Sequence, residues 1–300
     1  MSRVRIPGQS GRGHLAMLLF SALVAGSFSL GSMAANEIAP AALNAARFVL
    51  AAAVLGAVAA STGGLTRAAF AAPWRYLILG GLLAVYFVTM FEGLKTAPPV
   101  SAAAVFTLTP LMAAGFGWLL EGQVMTTRIA VALAIGALGA LWVIFRADWS
   151  AFRAFEIGRG EMIFFGGCAA HAAYTPMVPR LNRGESPLVF AFGTLVAAAF
   201  VIGLPGARDI LETDWAALPR IVWITLIYVA IVASSITFFL LQFAALRLPA
   251  SKVMAYTYLV PSWVIGWEVA LGQPLPKALV AVGLALTVLA LVLLLEARKL

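Results

Sequence analysis

From Leu15 onward the chain is a succession of apolar runs, each close to twenty residues long and each closed by proline, glycine or a base. A helix rises about 1.5 Å per residue, so about twenty apolar residues cross the hydrocarbon core of a bilayer. That rule predicts ten transmembrane helices, over 15–35, 40–60, 74–95, 99–119, 128–146, 161–178, 187–204, 219–241, 250–270 and 277–296. Pro40, Pro98-Pro99, Gly122, Pro187, Pro219, Pro249 and Gly272 punctuate them, as helix breakers should. Composition excludes the soluble alternative. Of 300 residues, 63% are hydrophobic and 11% charged, whereas a soluble chain carries about 25% charged residues. Too little polar surface remains to cover a water-soluble globule. The expected class is an all-α integral membrane protein.

Arg3, Arg5 and Arg12 precede the first run, which ends in Ser32-Met33-Ala34 and so mimics a secretory signal with its cleavage site. The run is long enough to span, however, and the reading is an uncleaved first helix. The net charge of +8 sits in short links between apolar runs, which fits topology and not nucleic acid. With the N-terminus inside, twelve of the twenty bases fall on the cytoplasmic side and seven on the other. Arg47 lies within the second helix. The excess predicts both termini in the cytoplasm, as in a multi-pass protein of a bacterial inner membrane. The one cysteine, Cys168, has no partner for a disulfide.

One stretch occurs twice. Phe91 to Gln123 and Phe243 to Gln273 each open on Phe, reach a base (Lys95, Arg247), pass a proline link and cross an apolar helix. That helix carries a central proline, Pro110 or Pro261, and the stretch closes on Gly-Gln. A period near half the chain length points to internal duplication. Ten helices in two copies leave five per copy. An odd number forces the second copy to enter the membrane upside down, so the expectation is two inverted five-helix repeats, over 1–146 and 161–300 with a linker at 147–160. A substrate path is then expected between the copies near mid-membrane.

The stretches TLTPLMAAGFGWLLEGQVMT and YLVPSWVIGWEVALGQPLP, with the Pro-Ala-Ala-Leu-Asn-Ala-Ala-Arg opening of the second helix, resemble an EamA-type repeat. Nearly the whole chain is similar to ten-helix exporters of the drug/metabolite transporter superfamily, and to the YddG-type aromatic amino acid exporters. It departs from the usual pattern where Gln123 and Gln273, not Glu, follow the closing glycines. The resemblance implies export of small metabolites, amino acids among them. The expected partners are a small-molecule substrate and the lipid bilayer, with no nucleic acid and no cofactor or metal; a monomer is the starting assumption.

Pro110 and Pro261 lack an N–H and clash with the carbonyl four residues earlier, which frees the carbonyls of Phe106 and Thr257. They read either as hinges whose carbonyls line the path or as static kinks satisfied by Thr107, Thr109 or Ser262. Arg47 lies about 10 Å inside the second helix's outer end, and is expected to snorkel outwards towards Glu37; attraction of a substrate carboxylate is the alternative. His171 sits mid-helix among alanines, where an ionisable group is a functional candidate, and Tyr174 shares its face. Tyr86, Phe106, Thr107, Ser234, Phe238, Tyr256, Tyr258 and Trp263 complete a candidate aromatic and hydroxyl lining for a small amphipathic solute, although serine and threonine also serve as helix–helix glue.

No GxxxxGK[ST] motif offers direct ATP drive. No acid lies at the middle of a helix, which leaves facilitated diffusion, or proton linkage through His171. Secondary transport of amino acids is the first reading, and broad drug or metabolite efflux the alternative. A channel is a further possibility. An intramembrane hydrolase would need His171 to act with Ser234 or Ser235, and no GxSxG or HExxH motif supports it.

Overall fold

The computed structural model describes residues 9–122, 126–154 and 157–296, and among these every regular element is helical. Gln123 and the bases Arg3, Arg5, Arg298 and Lys299 lie outside the described residues. Six stretches are long and apolar enough to cross a membrane: Gly11–Ala34, Pro40–Ser61, Trp74–Gly93, Pro99–Leu120, Thr127–Ile144 and Arg220–Ala245. Pro187–Gly203 and Val280–Glu296 are shorter apolar helices. The chain is a multi-pass membrane protein. Its outer surface carries exposed Val54, Val85, Leu138, Phe200 and Ile227, side chains that suit lipid and not water.

In chain order the elements are α1 (Gln9–Ala34), α2 (Pro40–Ser61), a 3₁₀ turn (Arg67–Phe70), α3 (Trp74–Gly93), α4 (Pro99–Phe106), α5 (Thr109–Glu121) and α6 (Thr127–Ile144). The short α7 (Trp149–Ala154) follows, then α8 (Arg159–Leu181), α9 (Pro187–Gly203), the short α10 (Ala207–Glu212) and α11 (Arg220–Ile227). A π-helical segment (Tyr228–Ile236) joins α11 to α12 (Thr237–Ala245). Next come α13 (Ala250–Ala255), a 3₁₀ turn (Tyr256–Leu259), α14 (Val260–Ala270) and α15 (Val280–Glu296). Pro40, Pro99 and Pro187 each open a helix, where a missing N–H costs nothing. Ser186 caps α9 by accepting from the Val189 N–H at 3.3 Å. Gly122 ends α5 with φ +63°, a conformation that favours glycine.

Both central prolines interrupt their helices, as their lost N–H requires. Pro110 follows the break between α4 and α5, and Pro261 follows the 3₁₀ turn. Both carbonyls released by the prolines have local partners. The Thr109 hydroxyl donates to the Phe106 carbonyl at 2.6 Å, and the Val260 N–H donates to the Thr257 carbonyl. A hydroxyl one turn away and a tightened turn satisfy them locally, as lipid demands. The two breaks meet: Thr109 Oγ1 and Thr257 Oγ1 lie 3.3 Å apart across the α4/α5 and α13/α14 rods.

Packing follows from small residues. α3 lies on α8 and α9, α2 on α9 and the π segment, and α6 on α15. α1 packs against α11, α12 and α14, while α4 and α5 meet α8, α13 and α14. Where α6 crosses α15, Gly139 and Gly283 face each other so closely that a Cβ on Gly139 would lie 2.6 Å from the Gly283 carbonyl oxygen. Gly93 and Gly160 bring α3 and α8 together in the same way, with a Cβ on Gly93 falling 2.7 Å from the Gly160 carbonyl oxygen.

The N-terminal end of α3 carries a largely buried ion pair. Arg75 Nη2 lies 2.7 Å from Glu185 Oε1, the two side chains being 1% and 6% exposed. Arg75 also donates to the carbonyls of Ala69, Ala72 and Leu181. This ties α3 to the link between α8 and α9.

Candidate functional site

The candidate lining residues fall into two sets. One set is drawn together at the centre of the bundle. Tyr86 on α3 and His171 on α8 face each other with ring centroids 4.4 Å apart. Phe106, the last residue of α4, lies 5.4 Å from His171 and 5.7 Å from Tyr86. Tyr174 lies one turn from His171, with rings near parallel at 6.1 Å. The Tyr174 hydroxyl accepts from Gln242 Nε2 of α12 at 2.8 Å. Phe238, one turn before Gln242, packs on Phe87 at 5.9 Å and on Phe48 at 6.5 Å. Ser234 of the π segment joins through Arg47, as described below.

The other set lies elsewhere. Tyr256 hydrogen-bonds through its hydroxyl to His14 Nδ1 at 3.2 Å, near the start of α1. Tyr258 is buried against Gly136 at the contact with α6. Trp263 is 43% exposed and points its indole N–H at Ser21 Oγ. Thr107 turns its hydroxyl back to the Ala104 carbonyl at 2.6 Å, within its own helix. The contacts of these four are thus made outside the Tyr86–His171 cluster.

Arg47 overturns the snorkelling expectation. It is fully buried. Its Nε donates to Ser234 Oγ at 2.7 Å and its Nη2 to the Ala233 carbonyl at 2.9 Å. The guanidinium lies over the Phe87 ring, 3.7 Å from its centroid. The cation is held inwards because the π segment brings Ala233 and Ser234 towards α2, and because a guanidinium on an aromatic face in low dielectric gains about 2 kcal/mol. A π turn of this kind leaves no plain trace in an apolar sequence.

Sequence reasoning also missed Phe28, Phe48, Phe87 and Phe164. Phe28 and Phe164 close the cluster at 5.9 Å from each other, and Phe28 sits 5.9 Å from Phe106. One signal was available on α2. Asn44 and Arg47 stand three residues apart and so share a face of an otherwise apolar helix.

Several polar atoms here have no hydrogen-bond partner: Arg47 Nη1, Tyr86 OH, His171 Nδ1, Gln242 Oε1 and Asn44 Oδ1. Each such buried group costs about 1–3 kcal/mol. Arg47, Tyr86, Phe106, His171, Tyr174 and Phe238 are all at most 3% exposed, so the cluster is closed to solvent. An aromatic enclosure with a few unpaired polar atoms is the usual make-up of a small-molecule site.

The EamA-like transporter family's profile matches residues 11–145 and again residues 158–296. The chain belongs to this family. It is therefore a transporter of the drug/metabolite transporter superfamily, as its proline stretches implied. It is 25% identical over 285 residues to the uncharacterized transporter YyaM of Bacillus subtilis, an alignment covering 92% of this chain and 91% of that protein. A crystal structure at 22% identity has the same fold, with a TM-score of 0.73 over 97% of this chain and 99% of the other.

Proposed function

We propose that this EamA transporter is a secondary exporter of small amphipathic metabolites, amino acids with aromatic or other apolar side chains first among them. It would work across a bacterial inner membrane by alternating access, with both termini in the cytoplasm. The carrying observation is the central cluster, in which α2, α3 and α4 meet α8, the π segment and α12 around rings and unpaired polar atoms. His171, Tyr174, Tyr86, Phe106, Ser234 and Phe238 are the proposed lining, and Pro110 and Pro261 the proposed hinges.

Two inverted five-helix halves, 1–146 and 161–300, give such a site its moving parts. The packing supports this reading, because the most extensive contacts have counterparts five rods along. The contact of α3 with α8 answers that of α12 with α1, and α3 with α9 answers the π segment with α2. The α5–α8 contact answers α14 with α1, while α2–α9 and α6–α15 each map onto themselves. The family's double match, at 11–145 and 158–296, agrees with that division.

In proteoliposomes, labelled phenylalanine should enter saturably and show counterflow, with unlabelled apolar amino acids competing. If no amino acid competes, the substrate reading fails, and broader metabolite efflux becomes the one to pursue; unsaturable flux would indicate a channel. His171→Ala is expected to alter solute preference or rate several-fold with the thermal midpoint in detergent little changed. Wild-type kinetics in that variant would take His171 out of the lining. The hydrolase alternative has less support, since Ser234 Oγ accepts from Arg47 and Ser235 Oγ donates to the Ala230 carbonyl at 2.9 Å. Neither hydroxyl is paired with His171.

A further inference from the structure

We infer that Arg47 is the anchor for a substrate carboxylate, and that the site consequently selects aromatic monocarboxylates, with a substrate ammonium group dispensable. The inference rests on the transport reading above and narrows its substrate class.

Among the described residues, Arg47 and Arg75 are almost completely buried, and the fold treats them differently. Arg75 has a carboxylate at 2.7 Å and three carbonyls. Arg47, equally buried, has one hydroxyl, one carbonyl and the face of Phe87, and its Nη1 meets no acceptor. None of the ion pairs among the described residues includes it. Burying a cation without a counter-charge is costly, and the contact with Phe87 offsets only part of that cost. An anion arriving at Nη1 would remove that cost, and the planar guanidinium fork suits a carboxylate.

The neighbours fix the rest of the ligand. Tyr86 packs on Phe87 at 4.5 Å and carries the unpaired hydroxyl and His171 beside it. Both the hydroxyl and a His171 Nδ1–H tautomer can donate to an oxyanion. Phe87, Phe48, Phe238 and Phe106 offer ring faces and edges for an aromatic body. For a substrate ammonium the unpaired acceptors are all neutral: the Asn44 and Gln242 amide oxygens, the Tyr86 hydroxyl, and His171 Nδ1 in its other tautomer. A zwitterion leaves the buried centre with its full positive charge, whereas a monoanion cancels it.

The test uses full-length protein in liposomes carrying labelled phenylalanine. The competitors are 3-phenylpropanoate, which lacks the ammonium, and 2-phenylethylamine, which lacks the carboxylate. The acid should compete about tenfold better than phenylalanine, and the amine should not compete. Arg47→Met should lose about tenfold or more of the affinity for the acid while its substrate-free thermal midpoint holds or rises, since apolar replacements of buried charges often stabilise. Arg47→Lys, which keeps the charge but not the fork, should fall between. Equal competition by the amine, or undiminished preference for the acid in Arg47→Met, would overturn the inference. Should Arg47→Met fail to fold, competition on the wild type decides alone. If none of the three compounds is carried, the transport reading for aromatic solutes falls, and the anchor is judged separately by thermal stabilisation with 3-phenylpropanoate. Absence of that stabilisation sinks the anchor too.

Discussion

Replacing Gly139 with leucine is expected to leave little folded protein. The crossing of α6 and α15 has no room for even one added carbon. A Cβ at Gly139 would stand 2.6 Å from the Gly283 carbonyl oxygen, 2.9 Å from Leu286 Cβ and 3.1 Å from Thr287 Cγ2. The first of these atoms is backbone and cannot rotate away, so the helices must separate. Gly139→Ala alone should cost about 1–3 kcal/mol from overpacking, and leucine more. Loss of the crossing opens contacts along both helices, because close approach and dispersion hold transmembrane helices together where no hydrophobic drive exists. The measurement is the thermal midpoint and monodispersity in detergent. Gly166→Ala is the matched control. Gly166 is helical, has nothing within 4 Å of its would-be Cβ, and should tolerate alanine. If Gly139→Leu melts like the wild type, the packing described here for α6 and α15 is wrong.

Glu185→Gln is expected to destabilise the protein by about 3 kcal/mol, the usual consequence of removing one partner of a buried pair. Arg75 would keep its three carbonyls but lose its counter-charge, while its own side chain stays 1% exposed. The pH dependence carries the signature. Burial by itself raises the Glu185 carboxyl, but hydrogen bonds from Arg75 and from the Arg183 N–H outweigh it and hold the group below the usual carboxylate range. A carboxyl depressed in the folded state contributes stability that is complete above its unfolded value and is lost as pH falls through the folded one. The wild-type thermal midpoint should therefore drop on acidification below the ordinary carboxylate range. In Glu185→Gln that component should be missing, the midpoint being low already at neutral pH. Parallel pH curves for the two proteins would contradict the account.

The centre of the bundle was only half legible in the chain. His171, Tyr174 and Tyr86 stood out because a polar or ionisable group amid alanine and leucine has few reasons to be there. Phe106 and Phe238 were picked out, but Phe28, Phe48, Phe87 and Phe164 were not, since a phenylalanine in an apolar helix carries no mark of whether it faces lipid or a ligand. Trp263 and Tyr258 looked equally good on paper, yet the first faces outward and the second lies against Gly136.

The sequence alone determined the class of protein. Twenty-residue apolar runs with almost no charge leave helices in a bilayer as the sole way to satisfy every backbone N–H and carbonyl, and proline and glycine mark their ends. It also placed the helix breaks at Pro110 and Pro261, because a missing N–H acts wherever the residue stands. Only the tertiary structure decided where Arg47 points. The position of one residue along a helix sets its depth, but its surroundings depend on which helix lies opposite and how that helix is wound. The wide turn at 228–236 carries Ala233 and Ser234 to the guanidinium of a residue nearly two hundred positions earlier in the chain.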